Sequence, residues 1–366
     1  MEYSIIMRGN KLLYALILAG GRGTRLYPLS RSKNPKQFLK IINNKSFLRA
    51  TVDRIKPLVK EDNIYVVTNE DYLNKVYEEL PEINKDNIFV EPENKETATC
   101  IGLSAIKLLK KDNDATLIIL PSDHYIENED IFIDTLKQAY ESAERKRGLI
   151  AIGVCPTRPE TGYGYAEMGE CVAGDISTYR VERFMEKPNI EVAKDLLIKG
   201  TFLWNSGMFV WRADVFLREM QKYLPKMHKS MMTIYQYLGT DKENQIIKEQ
   251  YSIINGISVD FGIMQKTRKA YVIKCDFIWD DIGTFASMGR FLNNFRGNKV
   301  IGNIMLEQCE NCKVFGNKKL IIGFGVKDLV IVDSEDVILV MDKNKDQEIK
   351  HLVNKLIDLN NMESYL

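Results

Sequence analysis

The chain carries an apolar run directly before a glycine-rich turn, Leu12-Leu-Tyr-Ala-Leu-Ile-Leu18 and then Ala19-Gly-Gly-Arg-Gly-Thr-Arg25-Leu-Tyr-Pro28. A short apolar run bounded by glycines is typical of a buried strand in a parallel sheet. The glycines allow a tight turn in which backbone N–H groups converge on an anion. Arg25 and, after a proline, Lys36 add fixed positive charge. Together these features predict a site for nucleotide phosphates.

Two better-known phosphate-binding loops do not match this spacing. A P-loop needs Gly-Lys-Ser/Thr after its glycines, and a dinucleotide-binding turn needs a third glycine where Leu26 stands. An ordinary turn with two surface cations would also fit the glycines alone. The longer pattern favours a ligand site, because Gly-x-Gly-Thr-Arg-Leu-x-Pro-Leu is followed by Pro35-Lys-Gln-Phe-Leu39. This ordered pattern resembles the signature of the sugar-1-phosphate nucleotidylyltransferases, and its Pro-Lys-Gln-Phe ending is similar to the mannose-1-phosphate guanylyltransferase branch.

The composition is that of an ordinary globular enzyme. Hydrophobic residues make up 45% of the 366 residues, and 51 basic against 50 acidic residues give a net charge of +1. This balance gives no basic field for nucleic acid or an anionic membrane, and no apolar run approaches the roughly 20 residues of a membrane span. Residues 1–11 are too short and polar for a signal peptide, and we interpret them as a loose extension in which Met7 is an alternative start. The six scattered cysteines are therefore expected to be reduced thiols in the cytoplasm.

The order of the apolar runs predicts an α/β fold. Runs typical of strands occur at 12–18, 63–68, 88–90, 115–120 and 149–154, with helical patterns between them, as in parallel βαβ units. From about residue 297 the pattern changes to short strands with glycines and Asp/Asn turns. We predict a Rossmann-like, mostly parallel sheet with helices on both faces over 12–296, and the resemblance implies that it is a catalytic domain of nucleotide-diphospho-sugar transferase type. A small β domain with a closing helix is predicted over 297–366. The family often has a short left-handed β-helix there, although no clean hexapeptide repeat is present here.

Two aspartates are candidate ligands for one magnesium ion. Asp123 stands at the carboxyl end of a predicted central strand, and Asp281 precedes an Ile-Gly pair. Mg²⁺ prefers one or two carboxylates together with phosphate oxygens and waters. Each aspartate could instead cap the helix that follows it. The resemblance favours the metal, because both positions match the family's magnesium-binding aspartates, whereas Asp280 stands where the family varies.

The resemblance also implies a nucleotide site. The catalytic residues that it implies are Arg25, Lys36, Asp123 and Asp281. The nucleotide-binding residues are Leu18, Ala19, Gly20, Gly21, Gly23, Thr24, Arg25, Glu91, Thr97 and Asp123. Glu91 and Thr97 are candidates because their loop follows a strand and precedes a helix, where open α/β sheets bind ligands. The family tends to have Thr-Ala-Pro in this loop, and here Thr99 replaces the proline.

Three further motifs, Gly162-Tyr-Gly164, Glu186-Lys-Pro188 and Trp204-Asn-Ser-Gly-Met-Phe209, occur in the family's order and imply a sugar-phosphate site. Carboxylates accept hydrogen bonds from sugar hydroxyls, a lysine suits a phosphate, and an asparagine side chain can donate and accept. Taken singly, the motifs could be an ordinary turn or a buried strand with a bulge at its glycine. The implied residues are Gly162, Tyr163, Gly164, Glu186, Lys187, Asn205, Gly207 and Asp260, the last from a segment in which Gln265 replaces the family's usual acid.

The implied reaction is GTP + α-D-mannose 1-phosphate giving GDP-mannose + diphosphate, assisted by Mg²⁺ or another divalent cation. The attacking phosphate is already an anion, so the chemistry needs positioning and charge neutralisation rather than a general base. Spacing does not distinguish one base or sugar from another. A nucleotidylyltransferase for another sugar 1-phosphate or nucleotide therefore stays open, as does a non-catalytic subunit that senses GDP-mannose. The presence of Arg25, Lys36 and both aspartates favours the enzyme, for which we expect a homodimer and no nucleic-acid or membrane partner.

Overall fold

The computed structural model describes residues 12–21, 23–40, 44–172, 174–175, 177–359 and 362–365. The expected N-terminal extension, with Met7, lies outside these ranges. Contacts between Cα atoms divide the chain into two compact units. The first unit comprises the residues up to 20 together with 51–121 and 126–279, and the second comprises 21–50, 122–125 and 280–366. The predicted domain boundary near residue 297 stays a prediction.

Strands and helices alternate through most of the chain, and short strands follow. The strands are β1 (Leu13–Leu18), β2 (Ile64–Asn69), β3 (Ile88–Glu91), β4 (Thr116–Pro121), β5 (Tyr125–Ile126), β6 (Leu149–Val154), β7 (Gly164–Cys171), β8 (Thr178–Glu186), β9 (Phe202–Arg212), β10 (Ala270–Cys275), β11 (Trp279–Asp280), β12 (Asn293–Phe295), β13 (Asn298–Ile301), β14 (Ile304–Glu307), β15 (Lys313–Phe315), β16 (Ile321–Phe324), β17 (Leu329–Asp333) and β18 (Ile338–Asp342). The α-helices are α1 (Phe47–Ile55), α2 (Leu73–Glu79), α3 (Glu96–Lys111), α4 (Glu129–Lys146), α5 (Ile190–Lys199), α6 (Ala213–Tyr223), α7 (Pro225–Tyr237), α8 (Glu243–Ile253), α9 (Phe285–Gly289) and α10 (Ile349–Ile357). In the described part of the chain, no helix has both the length and the apolarity needed to cross a membrane.

The first unit is built on a nine-stranded sheet in the order β3-β2-β1-β4-β9-β6-β10-β8-β7. The pairs β3–β2, β2–β1, β1–β4 and β6–β10 are parallel, whereas β9 runs antiparallel to both β4 and β6. Residues 13–17 of β1 are all buried, which means that both faces of this strand are covered. Coverage of both faces explains why β1 is a continuous apolar run. The predicted α/β fold is confirmed, with a mixed sheet.

The strand β9 carries an irregularity at the Asn-Ser-Gly-Met motif. Along the β6–β9 pair, Ala151 lies opposite Phe209 and Gly153 lies opposite Asn205, so three residues of β9 face one residue of β6. The sequence allowed a bulge at this glycine, and the register shift is of that kind. Asn205 stands at one end of this irregularity and also pairs with β7, where its Cα partner is Gly164.

The second unit combines the C-terminal strands with an early segment of the chain. β13, β15 and β17 pair in parallel in one sheet, while β14 and β16 pair in parallel in another. The chain thus alternates between the two sheets, which is a β-helix-like winding. The core of this unit joins residues from before position 50 to residues from after position 280. Its buried members are Leu26, Tyr27, Leu39, Phe47, Ile282, Phe285, Met288, Leu292, Phe315, Val330, Val332, Leu339, Ile349 and Val353.

Candidate active site

Lys36 connects the segments of the two aspartates that the sequence singled out. Its side chain is buried, and Nζ donates a hydrogen bond to Asp123 Oδ2 at 2.8 Å and another to the main-chain oxygen of Asp281. A buried ammonium needs such partners, because an unpaired charge would lose its hydration without compensation. Gly23 lies against the same lysine: a Cβ added at Gly23 would stand 2.5 Å from Lys36 Cβ, and its φ is +62°. A glycine is therefore required at this point of the turn.

Asp280 and Asp281 are adjacent acids with different surroundings. Asp280 is buried, its Oδ2 accepts a hydrogen bond from Arg290 Nε at 3.0 Å, and its Oδ1 accepts the Ile282 N–H at 2.9 Å. Asp281 Oδ1 accepts the Gly283 N–H at 2.9 Å. Asp280 therefore forms a structural ion pair with Arg290.

Neither predicted metal ligand caps a helix, which was the alternative role of both. The N-cap of α9 is Thr284, whose Oγ1 accepts the Ser287 N–H. The N-cap position of α4 is occupied by Asn128.

The surroundings of Asp123 keep its carboxyl group ionised. Burial opposes ionisation, but the Lys36 ammonium, and after it His124, holds the pKa of Asp123 below its ordinary value. Burial lowers the pKa of the His124 imidazole, against the opposing charge of Asp123. His124 Nε2 lies 3.8 Å from Asp123 Oδ1. At neutral pH this cluster therefore presents an anionic carboxylate beside a cation.

The turn after β1 is open where a ligand could approach. Ala19 donates its N–H to the Val67 carbonyl at 2.8 Å, which continues the β1–β2 pairing by one residue. A Cβ added at Gly20 or Gly21 would meet no atom within 4 Å. Thr24 and Arg25 follow in a short 3₁₀ turn, Thr24–Leu26. Within the ranges that the structure describes, Arg25 has no carboxylate partner.

Four of the predicted sugar-phosphate residues lie together in the first unit. Gly164 of β7 pairs with Glu186 on β8 and with Asn205 on β9. A Cβ at Gly164 would overlap Glu186 Oε1, so a larger residue there would displace the Glu186 carboxylate. Asn205 Nδ2 donates to Asp260 Oδ1 at 2.8 Å, while Asn205 Oδ1 accepts the Gly207 N–H at 3.2 Å.

Asp260 holds its proton to a higher pH than an ordinary aspartate does. Burial, and then the negative charge of Glu186, raises the pKa of Asp260 to about 7, although the hydrogen bond from Asn205 opposes the shift. Glu186 Oε2 lies 3.3 Å from Lys187 Nζ, whose side chain is half exposed. Near neutral pH Asp260 can thus donate a hydrogen bond to a polar ligand as a carboxylic acid, or accept one as a carboxylate.

Tyr163 is buried in an aromatic group that the sequence did not reveal. Its ring centroid is 4.9 Å from that of Trp279 and 5.3 Å from that of Trp204. The Arg158 guanidinium stands 4.8 Å above the Trp204 ring, and its Nε pairs with Glu160 Oε2 at 3.1 Å. Glu160 Oε1 in turn accepts the Gly162 N–H at 3.2 Å. Arg158 was missed because no periodicity or spacing connects it to a tryptophan 46 positions later.

Glu91 and Thr97 make contacts inside the protein. Glu91 is buried at the end of β3, and its Oε1 accepts a hydrogen bond from the Tyr251 hydroxyl of α8 at 3.0 Å. Burial raises the pKa of Glu91 to about 7, against hydrogen bonds from Tyr251 and Cys100. Thr97 Oγ1 accepts the Val259 N–H at 2.9 Å. Direct contact of either residue with a nucleotide stays a prediction.

The chain belongs to the nucleotidyl transferase family, whose model matches residues 14–296, and it is an enzyme of that class. A second family model, the MannoseP isomerase/GMP-like beta-helix domain, matches residues 302–356. The mannose-1-phosphate guanylyltransferase of Salmonella montevideo is 36% identical over 352 residues, which cover 94% of this chain and 74% of that protein. A putative mannose-1-phosphate guanylyltransferase of Vibrio cholerae serotype O1 is 35% identical over 93% of this chain and 74% of its own length. A crystal structure described as mannose-1-phosphate geranyltransferase from Thermus thermophilus has a TM-score of 0.85 and 31% identity, covering 94% of this chain and 99% of that one.

Proposed function

We propose that this enzyme transfers a guanylyl group from GTP to α-D-mannose 1-phosphate, giving GDP-mannose and diphosphate. The observation that carries the proposal is the buried Lys36 ammonium, which contacts both Asp123 and the backbone of Asp281 beside a glycine-rich turn. This arrangement suits a reaction between two anions. The similarity over 94% of the chain to a mannose-1-phosphate guanylyltransferase supports the choice of substrates.

The work of the protein in this reaction is to position charges. An oxygen of the sugar phosphate attacks the α-phosphorus of GTP in line with the departing diphosphate, and the attacking group is already an anion, so no base must remove a proton. The amides of residues 20–23 and the Arg25 guanidinium would bind the triphosphate. Lys36 would contact the α-phosphate or the attacking phosphate. Fixed donors of this kind stabilise the charge of the transition state without reorganising.

Asp123 and Asp281 would hold Mg²⁺ or another divalent cation. Asp123 is anionic, and the Asp281 carboxylate belongs to a turn tied to the same lysine. The described residues gather no group of three or more histidine, cysteine or acidic side chains at one point. One or two carboxylates completed by phosphate oxygens and waters are typical of Mg²⁺ sites. When bound, the ion would neutralise phosphate charge.

The sugar end of the substrate would bind to the cluster around Asn205. Glu186 and Asp260 would form hydrogen bonds with hexose hydroxyls. Gly162, Gly164 and Gly207 have no side chains and would leave space for the sugar. Lys187 is half exposed and would contact the sugar phosphate. Tyr163 would support this surface through its packing on Trp204 rather than through its hydroxyl group.

A substrate panel tests the proposed function. Pyrophosphate release is measured with each of four nucleoside triphosphates against mannose, glucose and N-acetylglucosamine 1-phosphates, with Mg²⁺ and then with excess EDTA. We expect the highest kcat/KM for GTP with mannose 1-phosphate and loss of turnover in EDTA. A preference for another pair of substrates would assign this chain the activity of another nucleotidylyltransferase. An absence of turnover with every pair would contradict the proposed transferase activity. Sedimentation velocity checks the expected homodimer.

A further inference from the structure

We infer that Asp346, near the end of the chain, is a positioning residue for the turn that carries Asp281. The carboxylate is buried, its Oδ1 accepts the Phe285 N–H at 3.1 Å, and its Oδ2 accepts the Ala286 N–H at 2.6 Å. These amides belong to the first turn of α9, which begins four residues after Asp281. The role of Asp281 in this inference rests on the proposed function, whereas the hydrogen bonds of Asp346 do not depend on it.

The hydrogen bonds of α9 explain why this carboxylate is needed. The first N–H groups of a helix have no acceptor inside the helix. Thr284 and Ser287 satisfy part of this demand through a reciprocal capping box. The amides of Phe285 and Ala286 instead take both oxygens of Asp346. A charged acceptor is also the stronger one at this end of a helix.

The turn before α9 is therefore held from both sides. On its N-terminal side, Lys36 Nζ donates to the Asp281 main-chain oxygen. On its C-terminal side, Asp346 binds the start of α9. Between these two anchors, Ile282 is fully buried in the core of the unit. Loss of either contact should therefore displace this turn, together with the Asp281 carboxylate that it carries.

The same C-terminal segment also reaches the turn that carries Arg25. Asp346 lies in the 3₁₀ segment Lys343–Glu348, which contacts both α9 and the Thr24–Leu26 turn, and α10 packs on that turn as well. Leu26 and Phe285 share one buried cluster with Ile349 and Val353 of α10. One stretch of chain, 343–357, thus contacts both the Arg25 turn and the helix next to Asp281. The relative position of these two charged groups depends on that stretch.

Three substitutions test the inference. Asp346→Ala removes both acceptors, and Asp346→Asn keeps one neutral acceptor. Asp358→Ala is the matched control, because Asp358 is an exposed aspartate of the same C-terminal region that directly follows α10. The readouts are kcat and KM for both substrates, the melting temperature, and hydrogen exchange of peptides that cover residues 281–289.

We expect Asp346→Ala to lower kcat by about 10- to 100-fold with KM nearly unchanged, because misplacement of a catalytic group costs rate more than binding. Exchange at residues 282–289 should become faster while peptides of the nine-stranded sheet exchange as before. Asp346→Asn should recover part of kcat, and Asp358→Ala should behave like the wild type.

Two results would overturn the inference. One is a kcat within twofold of wild type in Asp346→Ala although exchange at 282–289 is faster, since the turn would then be loosened without effect. The other is a loss of kcat that only follows the melting temperature in all variants, or one that Asp358→Ala shares. If the wild type does not make GDP-mannose, the proposed function fails instead, and the exchange data still report whether Asp346 holds the turn.

Discussion

Substitutions of the adjacent residues Asp280 and Asp281 test whether one is structural and the other catalytic. We expect Asp281→Ala to lower kcat by at least ~10²-fold, because it removes one of the two carboxylates that we propose hold the divalent cation. Asp280→Ala should instead lower the free energy of unfolding by about 1–3 kcal/mol, since it leaves the Arg290 partner and the Ile282 N–H without their acceptor. Steady-state kinetics and thermal denaturation measure both effects. Unchanged turnover in Asp281→Ala would remove this residue from its role.

Gly164 allows a second test of a single residue. A Cβ there would overlap Glu186 Oε1, whereas a Cβ at Gly169, on the same strand β7, would overlap Glu182 Oε1 outside the predicted sugar-phosphate site. We expect Gly164→Ala to displace the Glu186 carboxylate and to raise KM for mannose 1-phosphate about tenfold or more, the value of one or two lost hydrogen bonds. KM for GTP should change little. Gly169→Ala is the matched variant, and an equal effect of the two substitutions on KM for mannose 1-phosphate would contradict the argument that Gly164 acts through Glu186.

Among the elements, the strands could be predicted from the sequence, but their order in the sheet could not. The runs at 115–120 and 149–154 coincide closely with β4 and β6, because strands covered on both faces are apolar throughout. That β9 would lie antiparallel between these strands is not encoded in any local pattern. The hydrogen-bond partners of Glu91 and Asp346 could not be predicted from local patterns either, because they lie 160 and about 60 residues away along the chain.

The connection between β3 and α8 should make stability depend on pH. Burial raises the pKa of Glu91 from 4.5 to about 7, so the folded protein holds this proton at pH values where the unfolded chain has lost it. The resulting stability is present below pH 4.5 and is lost as the pH rises through about 7. Glu91→Gln cannot titrate. We therefore expect its melting temperature, relative to wild type, to increase steadily from pH 5 to pH 8.

Tyr251→Phe is the control for this pH dependence. It removes the hydroxyl that donates to Glu91, but it keeps the carboxyl group and therefore the titration. Its melting temperature should be lower than that of wild type and should keep falling as the pH rises. A difference between Glu91→Gln and wild type that is constant across the pH range would show that Glu91 titrates near its ordinary pKa in the folded protein.

At the scale of the whole molecule, the C-terminal region contributes to the hydrophobic core of the second unit. This core is shared by residues from before position 50, among them Leu26 and Phe47, and by residues of the β-helix-like strands, among them Phe315 and Val332. Lys36 lies within the early segment. The sequence pattern changes near residue 297, but a change of pattern does not report which distant residues complete a core.

This shared core predicts the outcome of a truncation. A chain of residues 1–296 should lack detectable transferase activity and should bind the apolar dye ANS, because Leu26 and Phe47 lose the partners that cover them. Phe324→Ser is the matched control, since Phe324 is an exposed side chain of the removed region and its loss should leave kcat unchanged. Both chains are compared by pyrophosphate release, dye fluorescence and circular dichroism. An active 1–296 chain would mean that residues 21–50 hold Lys36 and Arg25 in place without the C-terminal strands, and the catalytic unit would then end where the sequence pattern changes.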